Sequence, residues 1–173
     1  MMNNQKIENL LNEINKISNN KSSIDYESIE KKDKIKSRLL KYIFYKKRSE
    51  QEVKNKFSKD YDEETLDEVI DELKRLGYID DSVYIERSIN EFKALKKLSL
   101  KEVKYKLLSK GVSSKDIDKF FEDNYDDLME YEKQSAISIF IKKSRDMDEQ
   151  QIKNYLYKKG YKEESIKEAE NAK

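Results

Sequence analysis

Apolar side chains recur along this chain at helical intervals. From Ile35 the series Leu39, Ile43 and Phe44 falls on one face, and from Leu66 the series Val69, Ile70, Leu73 and Leu76 does the same. No stretch of comparable length alternates with a period of two, so the pattern predicts helices and no sheet. Residues 3–18 carry Ile7, Leu10, Leu11, Ile14 and Ile17 at the same spacing, and the polar stretch Ser18 to Ser23 then reads as a linker.

The helices repeat as a group. Three segments align: SEQEVKNKFSKDYDEETL from Ser49, SLKEVKYKLLSKGVSSKDI from Ser99, and DEQQIKNYLYKKGYKEESI from Asp148. Val53, Val103 and Ile152 correspond, as do Phe57, Leu107 and Leu156, then Leu66, Ile117 and Ile166, at a spacing of about 50 residues. Each segment opens with a capping box, in which a side-chain oxygen accepts from the orphan amides and a residue three further on reaches back: Ser49 with Glu52, Ser99 with Glu102, Asp148 with Gln151. Gly111 and Gly160 suit the left-handed position that ends the middle helix. The first segment has Asp60 there and is one residue shorter, which predicts a tighter, strained turn. Gly77 closes the preceding apolar run, Asp80 and Asp81 stand ready to cap the next helix, and Asp126 and Asp127 repeat that junction.

The expected architecture is all-α. An extra N-terminal helix and linker (1–32) precede three tandem three-helix units at 33–78, 79–124 and 125–173, stacked into an elongated, curved, solenoid-like array. The last helix has only Ile166 and Ala169 as apolar anchors, as expected of a terminal unit.

Composition narrows the chemistry. The 173 residues are 42% charged and contain three glycines and no proline, cysteine, histidine or tryptophan. Without cysteine there is no disulfide framework or thiolate nucleophile, and without histidine the usual zinc, haem and triad sites cannot be assembled. Carboxylate-only chemistry with magnesium remains conceivable, but the acids fall at caps and on solvated helices rather than in a motif with ligand spacing, and no glycine-rich phosphate loop is present. The expectation is a protein that is not an enzyme, with no catalytic residues, no cofactor and no metal. No apolar run of about 18 residues exists to span a bilayer and no apolar leader core is visible, so no membrane partner and a cytoplasmic location are expected.

Thirty-seven basic and 36 acidic residues nearly cancel, yet they are segregated. Between Lys31 and Arg48 nine bases face one acid, between Glu91 and Lys115 eight face two, and between Lys142 and Lys159 six face three. The third helices are the reverse: Asp60 to Glu72 holds eight acids and no base, and Asp116 to Glu132 holds eight acids with Lys119. If the units stack regularly, the first and middle helices set their bases in one stripe and the third helices form a separate acidic ridge. The candidate contacts are Arg38, Lys46, Lys47 and Arg48 in unit one, Lys93, Lys96, Lys97 and Lys104 in unit two, and Lys142, Lys143 and Arg145 in unit three. Such a stripe suits a phosphate backbone or an acidic groove wall. Reversing Lys46, Lys47 and Arg48 together is expected to weaken binding without unfolding the protein. Solvated lysines on amphipathic helices need no partner, which is the plainer reading of each residue alone. Tyr42, Tyr45 and Tyr105 lie in the basic neighbourhoods and could stack on bases, or pack at the core boundary with wet hydroxyls.

Three strings add up to a family pattern: Arg48-Ser49-Glu50 with Val53, then Gly77-Tyr78-Ile79-Asp80-Asp81 with Tyr84 and Ile85, then Lys110-Gly111-Val112 with Ile117. With the three-unit layout they resemble the RecX regulators of bacterial recombinase over about residues 33–173. Unit one departs from the pattern in lacking the lysine-glycine turn, the final helix is short and polar, and residues 1–32 match nothing in it. The resemblance implies a monomer that lies in the groove of a RecA filament on DNA, bridges neighbouring subunits, and suppresses ATP hydrolysis and strand exchange. The partners it implies are the RecA recombinase filament and DNA, touched directly or through the filament. A stand-alone helical DNA-binding module is the alternative.

Overall fold

The computed structural model of the chain describes residues 26–95 and 97–172. The leading helix expected at 3–18 and the candidate Lys96 lie outside the described residues. Among those residues there are nine helices and no strand: α1 (Tyr26–Tyr45), α2 (Glu50–Phe57), α3 (Glu63–Arg75), α4 (Asp81–Leu95), α5 (Leu100–Leu108), α6 (Ser114–Asp123), α7 (Tyr125–Lys143), α8 (Glu149–Lys159) and α9 (Glu163–Asn171).

The apolar stripes gather into three cores. Ile35, Leu39 and Ile43 of α1 meet Val53 and Phe57 of α2 and Leu66, Val69, Ile70 and Leu73 of α3. Ile85 and Ile89 of α4, Val103 and Leu107 of α5 and Ile117 of α6 form the second core, which Leu128 and Met129 of α7 complete. Ala136 and Phe140, further along α7, join Ile152 and Leu156 of α8 and Ile166 and Ala169 of α9 in the third. Each fully buried aliphatic side chain contributes about 1.5–3 kcal/mol. Because α7 serves two cores, the second does not close at the 124/125 boundary read from the sequence. The opening helix likewise starts at Tyr26, ahead of the expected boundary at 33.

All three capping boxes form, with both reciprocal bonds in each. Asp62 and Ser113 cap α3 and α6 in the simpler way. Gly77, Gly111 and Gly160 have φ of 74°, 80° and 85°. The strain expected at Asp60 is not there, because no non-glycine residue among those described has positive φ. Instead Asp60 N–H and Tyr61 N–H both donate to the Phe57 carbonyl, so the chain tightens by one turn without entering the left-handed region.

Charge segregation also has an internal use that the sequence reading did not foresee. The basic face of α1 pairs with the acidic third segment of its own unit: Lys31 with Asp62 at 2.9 Å, Lys32 with Glu68 at 2.6 Å, Arg38 with Asp60 at 3.1 Å, and Lys36 with Glu72. The acidic third helix of unit one is therefore not a separate ridge. A second series ties each middle helix to the third helix of its unit, through Lys54–Asp67 (2.9 Å), Lys104–Asp118 (2.5 Å) and Lys153–Glu170 (3.2 Å). Exposed pairs of this kind contribute little stability individually. Their main effect is to neutralise charge that a partner would otherwise meet.

Candidate functional site

Successive units meet through a repeated joint. Ser49 Oγ accepts from the Glu52 amide and donates to the Lys110 carbonyl at 2.5 Å. Ser99 Oγ accepts from the Glu102 amide and donates to the Lys159 carbonyl at 2.6 Å. The lysine at each site reaches back to the capping-box glutamate, Lys110 to Glu52 at 3.1 Å and Lys159 to Glu102 at 2.9 Å. Both serines are fully buried. A hydroxyl can donate and accept at once, and a carboxylate cannot donate. That difference explains why serine stands at the two joined caps while Asp148, whose cap is exposed, needs only to accept. Ser99→Asp should therefore keep α5 capped but set a carboxylate against the Lys159 carbonyl. Its urea-unfolding midpoint should fall well below that of Asp148→Ser, which loses nothing at a joint.

The next unit also supplies a carboxylate to the first amide of the middle helix. Asp81 Oδ1 accepts from Glu50 N–H at 2.9 Å. At the second joint Glu132 does this for Leu100 N–H at 2.8 Å, and its other oxygen accepts from Lys162 N–H at 3.1 Å and Ser165 Oγ at 2.9 Å. Glu132 is fully buried and so caps α5 and α9 together, α9 having no side-chain cap of its own. Asp80, by contrast, caps its own helix through the amides of Ser82 and Val83.

Ionisation at the first joint runs in two directions. Burial pushes Glu52 up, but the Lys110 ammonium and the Ser49 amide outweigh it and hold the carboxyl below its ordinary 4.5. Burial pushes Asp81 above its ordinary 3.8. The Tyr84 hydroxyl, half-buried beside Glu52, is pushed up to about 12 by that burial and the neighbouring carboxylate. A lowered carboxylate pKa stabilises the fold above the unfolded-state value, and that stabilisation fades as pH falls through the folded value. Glu52→Gln should accordingly flatten the loss of stability below about pH 4.5, measured as the urea midpoint against pH. Asp81→Asn should steepen it, because Asp81 has the opposite sign.

A cleft of about 310 Å³ opens beside this joint between α1, α4 and α5. It brings Lys46 and Lys47, just after α1, together with Arg87 on α4, Lys106 on α5 and Lys110 just after α5; Tyr84, Ser88 and Phe92 line the wall, and Glu91 stands among the cations. Arg87, Lys106 and Lys110 were not among the candidates read from the sequence. Lys106 and Lys110 lie inside the basic run that pointed to this region, whereas Arg87 lies outside it. A second cleft flanks the next joint, lined by Lys101, Glu102, Tyr105, Tyr155, Lys158 and Lys159.

Of the other candidates, several are engaged inside the molecule. Arg38 bonds Asp60 and the Tyr61 hydroxyl and lies over the Tyr61 ring, pinning the turn that lacks glycine. Arg48 lies 4.7 Å over the Tyr42 ring, with Nη1 3.7 Å from Glu52 and Nε buried without a hydrogen bond. Its reversal would disturb the first joint, so the Lys46, Lys47 and Arg48 triple is not a clean surface change as the sequence suggested. Lys104 serves the Asp118 pair, Lys93 lies over Tyr131 and Lys143 over Tyr155. Lys46, Lys97, Lys142 and Arg145 are exposed. Tyr42 packs edge-on against Phe57 at the core boundary, while Tyr45 and Tyr105 are 88% and 62% exposed.

Among the described residues no group of three or more candidate ligands gathers to hold a metal ion, and no helix is long and apolar enough to cross a membrane.

No family model matches the sequence. The chain is 31% identical over 165 residues to the regulatory protein RecX of Clostridium botulinum, a match that covers 86% of this chain and 75% of that one. It is 31% identical over 80 residues to the protein of the same name from Clostridioides difficile, covering 46% of this chain and only 38% of the relative's length. The crystal structure of RecX from Lactobacillus salivarius matches the fold with a TM-score of 0.71 at 22% identity, over 84% of this chain and 96% of that one.

Proposed function

The chain belongs to the RecX family of regulatory proteins, and on that premise we propose that it docks on the RecA filament assembled on DNA and suppresses ATP hydrolysis and strand exchange. The observation that carries this reading is the cationic cleft at the first joint, where five bases from α4, α5 and the connection after α1 converge while much of the surrounding positive charge is paired internally. Three of them, Lys46, Arg87 and Lys106, form no ion pair among the described residues and remain available to a partner. Several docking contacts spread over stacked units suit a polymer with repeating subunits better than a single small ligand.

Wild-type protein added below the recombinase concentration should slow DNA-dependent ATP hydrolysis. A rate that stays constant across the titration removes the proposal. Lys46→Glu with Lys47→Glu should raise the concentration needed for half-inhibition by about tenfold, equivalent to 1.4 kcal/mol, and reduce the salt dependence of binding. Circular dichroism should remain that of the wild type, since neither side chain belongs to a core. A stand-alone DNA-binding module would instead hold naked DNA as tightly as the coated filament.

A further inference from the structure

We propose that the cleft between α1, α4 and α5 is a socket for an acidic segment of protein, presented by a subunit of the filament, and is not a seat for DNA phosphates. The inference rests on the filament reading above and specifies which of its two components meets this surface.

The lining argues for the distinction. Arg87 and Lys106 form no ion pair among the described residues, and Lys46 is exposed at the rim. These are the charges open to a ligand, because Lys110 is held by Glu52 and Lys47 lies close enough to Asp80 to lower its pKa. A phosphodiester strand brings a charge on every residue and favours a groove of uniform sign. This cleft carries Glu91, exposed among its cations, and Glu52 stands behind Lys110, so a continuous polyanion would meet carboxylates as well as bases. Its remaining wall is apolar and hydroxylic: the Phe92 ring, Leu107, the Tyr84 ring, Ser88 and Ser109. A protein segment with two or three carboxylates beside an apolar side chain satisfies both kinds of wall. Arg87 forks onto a carboxylate, Lys106 and Lys46 take the others, and the half-buried Phe92 and Tyr84 rings receive the apolar group.

The test uses the full chain with Arg87→Glu and Lys106→Glu combined, both outside the joint and the core. Three ligands are compared by fluorescence anisotropy: RecA filament on single-stranded DNA, the same DNA uncoated, and a poly-glutamate peptide interrupted by leucines. Affinity for filament and peptide should fall at least about tenfold, while affinity for naked DNA should change less than twofold. Equal losses on filament and naked DNA overturn the proposal, as does an unchanged affinity for the filament. A photo-crosslinking residue at Ser88 should capture a RecA peptide; capture of DNA also overturns it. If wild-type protein does not slow ATP hydrolysis, the filament reading has failed, and the peptide arm still decides the chemistry of the cleft.

Discussion

Gly111→Ala is expected to destabilise the protein far more than Gly77→Ala, although the two glycines have nearly the same backbone conformation. At Gly77, with φ of 74°, an added Cβ would meet nothing within 4 Å. The cost there is that of the left-handed region alone, about 1–2 kcal/mol. At Gly111 the added Cβ would lie 2.2 Å from Gln51 Cβ and 2.4 Å from its Cγ. Cβ is fixed to the backbone and cannot swing away by rotation, so α2 and the end of α5 must separate. That movement stretches the Ser49–Lys110 and Lys110–Glu52 contacts as well. Overpacking adds about 1–3 kcal/mol, which brings the total to about 2–5 kcal/mol. Urea unfolding of both variants checks this: equal midpoints would show that the close approach of α2 to Gly111 does not matter. Gly160 faces Lys101, with contacts of 2.6 Å to Cδ and 2.9 Å to Cβ, and its alanine variant should behave like that of Gly111.

Glu132→Ala should be comparably severe for a different reason. The buried carboxylate accepts from Leu100 N–H, Lys162 N–H and Ser165 Oγ, and its loss leaves the first and last of these donors buried without an acceptor and the Lys162 amide half-buried without one. Removing one partner from such a network costs about 3–5 kcal/mol, a large share of the 5–15 kcal/mol typical of a folded domain. Glu132→Gln keeps the shape and one acceptor oxygen but turns an NH₂ group toward a donor, so it should fall between wild type and alanine. Hydrogen exchange provides the specific readout. The amides of Leu100, which opens α5, and of Lys162, the residue before α9, should lose protection together, although they lie in different units. A variant that loosens only one of these helix starts would show that the carboxylate does not couple them.

The parts of this molecule that were legible in its sequence are those decided within a few residues. The capping boxes of Ser49, Ser99 and Asp148 link residues three apart, and all of them form. The apolar series from Leu66 to Leu73 needs only the helical period to be placed on a buried face. What the sequence could not display is the second partner of each of these residues. Ser49 was visible as a cap, but its bond to Lys110 depends on how the units stack. Gly111 was visible as a helix stop, but the crowding by Gln51 is a contact between units. Glu132 was one acid among eight in a charged stretch, and nothing local sets it apart from its solvated neighbours.

The start of α1 shows the same limit from the other side. Residues 26–32 offer only Tyr26 and Ile29 as apolar positions, and both are exposed, so periodicity gave no reason to extend the helix there. Ion pairs from Lys31 and Lys32 to the third segment of the unit help hold that end in place. Those pairs also explain why counting charges overstated the stripe. A run of bases read from sequence does not reveal that an acidic helix of the same unit lies against it. The cleft was only half legible because Lys46 and Lys47 are adjacent in sequence, while Arg87 reaches them from another unit.

The chemistry of the joint also sets what a further module would have to bring to dock against the Asp148 cap. A further unit placed against Asp148 through a turn like that at Asp60 would set an acceptor against a loop that has a lysine, Lys59, but not the glycine used at the internal joints. A joint of the internal kind at that cap would therefore require a hydroxyl in place of Asp148 and a glycine in place of Asp60.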